Sequence, residues 1–175
     1  MDLVADAKIP FPKPVVFAAY RDDMLKLVPY LPNVRAIEVK SRKDEPPVTD
    51  LVNIWHGGGE IPAAARAFLS EAMLSWTDHA HWDESKWTCD WRIETHSFTE
   101  AVTCRGSNTF VEDDSGTTLR IRGVISIDAS KVKGVPGFLA GKVSKALEEF
   151  LGNKIRPNLI EVSDGLTKYL QAKSA

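Results

Sequence analysis

An acidic side chain and an amide side chain stand among tryptophans in the middle of the chain, and they are the first candidates for chemistry. Asp78 lies within LSWTDHAHW, and Asn108 lies within GSNTFVE. A carboxylate that points inward among aromatic rings must find a partner or shift its pKa upward. Asp78 therefore has three open roles: a paired structural side chain, a polar anchor for a ligand, or a catalytic acid or base. The structural and anchoring roles apply to Asn108 as well.

The stretch NIWHGGG at 53–59 raises a second possibility, the oxyanion loop of an α/β-hydrolase. That fold also needs alternating strands and helices and a Gly-x-Ser-x-Gly elbow, and this sequence has neither. The glycines lack the Lys-Ser/Thr that follows in a phosphate-binding loop. We therefore expect them to end a strand and begin a connection.

Two histidines form a possible metal site. His79 and His81 are two residues apart on a predicted strand, so both imidazoles lie on one face, with Asp90 expected opposite His79. Imidazole and carboxylate ligands suit zinc or iron. However, this is the face that we assign to solvent, and Arg105 offers Asp90 another partner. A surface polar network is therefore favoured, and no metal or cofactor is expected.

Bulk composition describes an ordinary globular protein. The 175 residues are 43% hydrophobic and 26% charged, with a net charge of −2, which suits one domain over residues 1–175 and argues against a general nucleic-acid binder. No signal peptide and no apolar run long enough to span a membrane is evident. We therefore expect a cytoplasmic protein with Cys89 and Cys104 reduced. These two cysteines are expected to act as small apolar residues, with a reactive pair as the alternative.

The elements that must position these residues follow from hydrophobic periodicity. LVADAKI at 3–9 predicts a first strand, and helical spacing follows over 16–27. Alternating segments then predict six strands, interrupted after the glycines by a short helix in IPAAARAFLSEAM. Apolar residues three to five apart return over 139–169 and predict a long amphipathic helix, kinked at Pro157. Strands in a meander with helices at the ends form an α+β architecture.

Turn centres at DESK, at Ser97–Phe98 and at DDSG predict the strand registers. The expected pairs are Trp82 with Trp87, Ala80 with Cys89, Asp78 with Trp91 and Trp76 with Ile93; Trp91 with Cys104, Ile93 with Val102 and Trp87 with Asn108; and Cys104 with Ile125, Gly106 with Gly123 and Phe110 with Leu119. One face thus collects four tryptophans with Asp78 and Asn108, and the other collects His79 facing Asp90, Asp90 facing Arg105 and Thr77 facing Arg92. Alternation assigns the aromatic face to the interior, against the long helix.

Two glycines make that inner face unusual. Gly106 and Gly123 are expected opposite each other, where large side chains would be usual, and they favour strong bending of the sheet or empty space above it. Ligand pockets are mainly apolar and aromatic, with a few placed polar groups. We therefore expect Trp76 and Trp91 to contact a ligand, although plain core packing is the alternative for each.

This order of elements resembles the START/Bet v1-like (SRPBCC) helix-grip superfamily, and within it the bacterial polyketide cyclase/dehydrase and lipid transport-like group. The matching stretches are VVFAAYRDDMLKLVPYLPNVRAIEV, LSWTDHAHWDESKWTCDWRIE and GVPGFLAGKVSKALEEFL. The resemblance implies a curved seven-stranded antiparallel sheet wrapped around a long C-terminal helix. It also implies an apolar cavity between sheet and helix for lipids, sterols, polyketides or similar molecules. It carries over no catalytic motif.

The candidate site residues follow from these expectations. Those expected to bind the ligand are Trp76, Asp78, Trp91, Cys104, Asn108, Phe110, Gly123 and Phe150. Alternate turns of a meander fall at the same end of the sheet, so the 57–73 segment, the 96–99 turn and the 129–137 loop should cluster. Residues expected at the resulting entrance are Arg66, Phe68, His96, Phe98, Val135 and Phe138.

A basic cluster surrounds the GVPGF loop near this expected entrance. It consists of Lys131, Lys133, Lys142 and Lys145. Lysines beside exposed apolar residues can contact anionic membrane lipid, although a solvated surface is the ordinary interpretation. The leading hypothesis for the whole chain is a protein that binds an apolar or amphipathic small molecule. The alternatives are an acid–base enzyme of cyclase or dehydratase type, with Asp78 as its candidate catalytic residue, and a partner-regulated interaction module.

Overall fold

The computed structural model describes residues 1–58, 75–97, 99–131 and 135–174, without the side chains of residues 146, 147 and 149–159. The strands are β1 (Asp2–Ile9), β2 (Val34–Glu45), β3 (Val48–Gly57), β4 (Ser75–Asp83), β5 (Thr88–Thr95), β6 (Val102–Asp113) and β7 (Gly116–Ile127), and the helices are α1 (Lys13–Asp22), α2 (Met24–Leu27) and α3 (Ala140–Ser174). This is the predicted order of strand, helix, six strands and long helix. The short helix predicted after the glycines lies outside the described residues. None of the described helices is long and apolar enough to cross a bilayer.

The strands form one antiparallel sheet in the order β1-β7-β6-β5-β4-β3-β2. Strands β2 to β7 are a meander, and β1 pairs with β7 at the far edge. Burial alternates along β1, where Leu3 and Ile9 are buried and Val4 is exposed, because successive side chains point to opposite faces. We call the face that carries the buried residues the inner face. Helix α3 contacts this sheet at β1 and β7.

An aromatic cluster joins α1 to the inner face. Phe17 of α1 is 1% exposed, and its ring centroid lies 5.1–5.2 Å from those of Trp82, Trp87 and Phe110 in edge-to-face arrangements. Such contacts stabilise a core beyond the area that they bury. The cluster fixes α1 across one end of the sheet, and it uses Phe110, which we expected at the ligand.

Asp23, between α1 and α2, anchors the C-terminal part of α3. Its carboxylate accepts hydrogen bonds from Tyr169 Oη at 2.8 Å and Lys173 Nζ at 2.9 Å, and Lys26 Nζ lies 2.7 Å away. Burial acts to raise the pKa of Asp23, but these donors outweigh it and lower the pKa to about 2. Helix α3 is continuous through Pro157, so its anchored end and its N-terminal end belong to one element.

The predicted register of the β6–β7 hairpin is confirmed. Cys104 pairs with Ile125, Gly106 with Gly123 and Phe110 with Leu119. The reason is a tight turn between Asp113 and Gly116, where Gly116 has a φ of 121° that other residues rarely adopt. A short turn with a glycine at this position fixes which residues face each other.

The predicted registers of the other two hairpins are wrong by two residues. Asp78 pairs with Ile93 rather than Trp91, because the turn is Glu84–Trp87 and not DESK. The Asp83 side chain accepts hydrogen bonds from the backbone N–H groups of Ser85 and Lys86, which makes Asp83 the last residue of β4. A shift of two residues keeps every strand side chain on its predicted face.

The shift changes several neighbours. Trp87 lies in the turn, at a φ of 55°, so the inner-face tryptophans are Trp55, Trp76, Trp82 and Trp91. On the inner face, Trp91 pairs with Gly106, Ile93 with Cys104, and Cys89 with Asn108. On the outer face, His79 pairs with Arg92, Asp90 with His81 and Ser107, Arg105 with Arg92, and Thr77 with Glu94. Cys89 and Cys104 are therefore four residues apart in register and are not the diagonal neighbours that we predicted.

Candidate functional site

The inner face carries two buried polar side chains where β3 lies beside β4. Asn53 and Asp78 are directly opposite each other, and they are 1% and 8% exposed. The same row across the sheet continues through Ile93, Cys104 and Ile125. The row is therefore polar at β3 and β4 and apolar from β5 to β7. We call Asn53 and Asp78 the polar pair.

Burial dominates the electrostatics of Asp78 and raises the pKa of its carboxyl to about 6. The Asn53 amide and the Trp55 indole favour the charged form and oppose this increase. Neither group, however, reaches hydrogen-bonding geometry with a described residue. Within the described ranges Asp78 forms no ion pair, so the buried arginine that we considered as its partner is not among those residues. A carboxyl with this pKa exchanges a proton near neutral pH.

Several buried hydrogen-bonding atoms of the inner face have no partner among the residues that the structure describes. They are Asn53 Oδ1, Asn53 Nδ2, Trp55 Nε1 and Trp82 Nε1. A buried polar group without a partner costs about 1–3 kcal/mol of stability. Each such group in a folded protein calls for an explanation, and a polar ligand is one.

A second polar region lies where α1 meets β5 and β6. Trp91 Nε1 donates a 2.9 Å hydrogen bond to Asn108 Oδ1, so the predicted ligand anchor Asn108 already has a protein partner. Burial raises the pKa of the Tyr20 hydroxyl, and negative charge on Cys89 or Asp78 would raise it further, whereas Asn108 acts to lower it. The Tyr20 hydroxyl is therefore protonated at neutral pH, and a negative charge on Asp78 affects its pKa.

Trp91 occupies the space above the facing glycines. A Cβ added to Gly123 would lie 2.7 Å from Trp91 Cη2, and one added to Gly106 would lie 2.5 Å from Trp91 Cζ2. From the sequence, the two glycines could either bend the sheet or face empty space. The indole fills that space, so Gly123 contributes to the site by allowing Trp91 to lie close to the sheet.

A stacked pair of tryptophans flanks the polar pair. Trp55 of β3 and Trp76 of β4 are directly opposite, with ring centroids 5.9 Å apart and planes inclined by 13°. Trp55 follows Asn53 by two residues and Trp76 precedes Asp78 by two, so all four side chains share the inner face. Polar groups beside an aromatic wall are a usual composition for a ligand pocket.

The two thiols are suited to packing rather than chemistry. Cys89 and Cys104 are free and buried. Burial raises the pKa of Cys104 to about 11, and burial together with Asp78 and Asp90 holds the pKa of Cys89 well above its ordinary value. Both are therefore protonated at neutral pH, and a thiol without thiolate character is a poor nucleophile.

The histidines of the outer face pair with separate carboxylates. His81 Nδ1 lies 2.7 Å from Asp50 Oδ1, and His79 Nε2 lies 3.5 Å from Glu94 Oε2. Across the described residues, no three His, Cys, Asp or Glu side chains are placed to hold a metal ion. The outer face also has an open groove of about 710 Å³, lined in part by Arg92, Arg105 and Arg122.

Meander topology predicts that the 57–73 segment, the 96–99 turn and the 129–137 loop cluster at one end of the sheet, and described residues next to these connections contact each other there. His96 Nδ1 and Nε2 lie 2.8 Å from Ser75 Oγ and Thr77 Oγ1 at the start of β4. The Asp128 N–H donates a 2.8 Å hydrogen bond to the Ala101 carbonyl, which joins the residue after β7 to the residue before β6. Of the predicted entrance residues, Arg66, Phe68 and Phe98 lie outside the described residues, as does the side chain of the predicted ligand contact Phe150.

The loop before α3 presents an exposed aromatic side chain. Phe138 is 85% exposed and Leu139 is 37% exposed, whereas Val135 is partly buried. Lys142 and Lys145 are exposed on the first turns of α3, and Lys131 lies 3.8 Å from Asp128. Lys133 lies outside the described residues.

Solved structures of several proteins match this architecture over almost the whole chain. TTHA0849 from Thermus thermophilus matches with a TM-score of 0.70 and 16% identity, over 100% of both chains. The Zhui aromatase/cyclase from Streptomyces sp. R1128 matches with a TM-score of 0.67 and 14% identity, over 100% of this chain and 94% of its own. Ara h 8.0201 matches with a TM-score of 0.55 and 14% identity, over 98% of both chains.

The chain has the helix-grip fold. The resemblance to START/Bet v1-like proteins is therefore confirmed at the level of fold. No protein-family model and no curated protein sequence matches the chain. At 16% identity or less, these solved structures establish the fold alone.

Three residues of the site in this helix-grip fold are missing from the sequence-based list. Asn53 and Trp55 follow Leu51 at a spacing of two residues on β3, and applying to β3 the alternation used for the later strands would have placed all three inward. Tyr20 lies on the apolar face of α1, where helical periodicity identifies the ring as core. The position of its hydroxyl relative to Asp78 and Asn108 depends on how α1 crosses the sheet, and the sequence carries no signal for that.

Proposed function

We propose that this protein is a cytoplasmic binding protein for an apolar or amphipathic small molecule, held between the inner face and α3. The observation that carries the proposal is the polar pair. Asn53 is buried with both polar side-chain atoms unpaired among the described residues, and it lies directly opposite the buried carboxyl of Asp78. Folding alone would favour apolar side chains at both positions, because unpaired buried polar groups are destabilising. Recognition of a ligand explains why they are there.

In this proposal each part of the inner face has a distinct role. Trp76, stacked on Trp55, supplies an aromatic wall beside Asp78. Cys104 and Ile93 continue the same row as an apolar surface. Phe110 packs on Phe17, so it supports the site rather than forming its main contact surface.

A neutral fluorescent probe tests the proposal. N-phenyl-1-naphthylamine emits strongly only in apolar surroundings, and we expect saturable binding of one probe per chain. Trp76→Ala should weaken binding, because it removes half of the stacked wall. Val15→Ala is the matched control, since Val15 is 44% exposed on α1. Absence of saturable binding by the folded wild-type protein would contradict the proposal. Native mass spectrometry of gently purified protein, followed by extraction of any adduct, would identify the ligand's chemical class.

A second candidate function is acid–base catalysis on the bound molecule, of the cyclase or dehydratase type and without a metal. The observation that favours it is the pKa of Asp78, about 6, together with the Tyr20 hydroxyl as a second proton-transfer group. One similar structure is that of an aromatase/cyclase. Asp78→Asn should then abolish turnover of the extracted molecule and spare its binding. Unchanged turnover would eliminate this role.

We also propose that the loop before α3 contacts an anionic membrane surface. Phe138 is almost fully exposed beside Lys142 and Lys145, and basic residues near an anionic surface contribute about 1 kcal/mol each. Sedimentation with phosphatidylserine vesicles tests this. Phe138→Ser should reduce binding, with Val39→Ser on exposed β2 as the control. Equal sedimentation of both variants and the wild type would refute the contact.

A further inference from the structure

The polar pair restricts the chemistry of the ligand, if the proposed small-molecule function holds. We infer that the ligand's polar end is uncharged and presents a hydrogen-bond acceptor beside a donor, as in a primary amide, a lactam or a hydroxy-carbonyl group. The inference rests on the proposed function and deepens it. It follows from the hydrogen-bonding capacity of Asn53, the neighbouring Trp55 indole and the charge of Asp78.

The Asn53 side chain requires a partner of matching geometry. Its amide carries an acceptor and a donor side by side in one plane, and both Oδ1 and Nδ2 are buried without a partner in the described ranges. A group that offers only an acceptor or only a donor would leave one of these two atoms unpaired. An amide or hydroxy-carbonyl edge pairs both atoms at once.

The neighbouring donor requires a second acceptor site on the same ligand group. Trp55 Nε1 is buried without a partner within the described part of the chain. Trp55 also lies near the polar pair, since Trp55 and Asn53 both act to lower the pKa of the Asp78 carboxyl. An indole N–H can only donate. A carbonyl oxygen has two lone pairs, so it can accept from both Asn53 and Trp55. A cationic amine has no acceptor for either donor.

The charge of Asp78 excludes an anionic polar end. Asp78 is directly opposite Asn53 and forms no ion pair with a described residue. A carboxylate bound to Asn53 would lie close to a second negative charge in a buried environment, where like charges interact strongly. An anionic polar group is therefore excluded when Asp78 is charged. A cationic group could pair with Asp78, but it would leave Asn53 Nδ2 and Trp55 Nε1 without an acceptor, so a neutral polar end fits best.

The row of residues across the sheet gives the ligand a direction. The polar pair lies on β3 and β4, and Ile93, Cys104 and Ile125 follow on β5, β6 and β7. Ile125 is 2% exposed and packs in an apolar cluster with Leu3. A bound molecule therefore places its polar end at β3–β4 and its apolar body towards β7, across the strands.

Four probes that share one ring system test the inference at pH 8. They are 2-naphthamide, 2-methylnaphthalene, 2-naphthoate and 2-naphthylmethylamine, and their dissociation constants are measured by quenching of tryptophan fluorescence. We expect 2-naphthamide to bind the wild-type protein about 10-fold or more tightly than 2-methylnaphthalene, which corresponds to the pairing of one or two buried polar groups. We expect 2-naphthoate to bind most weakly.

Two variants connect these affinities to the polar pair. Asn53→Leu keeps the number of side-chain heavy atoms, and it should abolish the preference for the amide while binding of 2-methylnaphthalene is retained. Asp78→Asn should strengthen binding of 2-naphthoate by removing the repulsive charge. Ile54→Val, on the opposite face of β3, should leave all four affinities unchanged.

The outcomes separate the inference from the proposed function. If no probe binds the folded wild-type protein, the proposed function fails. If the probes bind but the hydrocarbon equals the amide, or the amine or the carboxylate binds tightest, the inference fails and the binding function stands. The wild-type comparison requires no variant, so the test remains decisive even if Asn53→Leu does not fold.

Discussion

The most informative perturbation of this protein is Asp78→Asn, because it removes a buried charge with almost no change in shape. The carboxyl of Asp78 has a pKa of about 6 in the folded protein, against 3.8 for the ordinary group. The folded state therefore holds a proton that the unfolded chain releases between about pH 4 and pH 6. By linkage, the free energy of unfolding must fall as the pH rises through this window.

The size of the effect follows from the two pKa values. An increase from 3.8 to about 6 corresponds to up to about 3 kcal/mol of lost stability once both states are ionised. Asp78 is only 8% exposed, so little of this is screened by solvent. An asparagine side chain cannot ionise, and the variant is free of this loss. We expect Asp78→Asn to be the more stable protein above pH 6, by up to about 3 kcal/mol.

Urea unfolding of the ligand-free wild type and variant at pH 4, 5, 6 and 7.5 measures this difference. The pH 4 pair is an internal control, because Asp78 is then protonated in the folded wild type and only about half ionised in the unfolded chain, so the two proteins should differ least. Groups elsewhere in the molecule titrate equally in both proteins and cancel in the difference. A difference that stays constant with pH, or a variant that becomes relatively less stable as the pH rises, would refute the assignment of Asp78 as a desolvated carboxyl.

Two further predictions concern positions outside the polar pair. Gly123→Ala should lower the free energy of unfolding by about 1–3 kcal/mol, because the new methyl group collides with Trp91 and with the carbonyl oxygen of Arg105. Gly137→Ala, with no atom within 4 Å, should change it by less than about 0.5 kcal/mol. Equal midpoints of urea unfolding would contradict the close packing around Gly123. Asp23→Asn should lower stability at pH 7 by up to about 2 kcal/mol, since the pKa of Asp23 is lowered to about 2. That difference should vanish as the pH falls from about 4 to 2, and its persistence at pH 2 would show that the anchor of α3 is not electrostatic.

The sequence predicts the fold of this protein well, because local signals determine most of it. Alternation gives the strands, helical spacing gives α1 and α3, and the glycine of DDSG fixes the β6–β7 register. The β4–β5 register is less accessible, because the side chain of Asp83 caps the turn and moves its centre by one residue. Turn position depends on such side-chain hydrogen bonds, which hydrophobic periodicity does not report.

The candidate site is predicted only in part. The inward direction of Asp78 follows from alternation, and it is unaffected by the register error because that error is an even number of residues. The pairing of Asn53 with Asp78 depends on the register between β3 and β4, which are separated in sequence by the 59–74 segment. No hairpin turn signals that register. Likewise, the hydrogen bond of Asn108 to Trp91 depends on the rotamer of a large ring.

The packing of Trp91 on Gly106 and Gly123 has a consequence for the variation of this protein among its relatives. A Cβ at position 106 would also meet the carbonyl oxygen of Arg122 and lie 2.7 Å from Gly123 Cα, and a Cβ at position 123 would lie 2.8 Å from the carbonyl oxygen of Arg105. The backbone as well as the indole therefore requires glycine at both positions, and Trp91→Leu should relieve only part of the destabilisation caused by Gly123→Ala. Two facing glycines beneath a tryptophan offer a way to recognise distant helix-grip sequences that share this wall, even where overall identity has fallen to the level of chance.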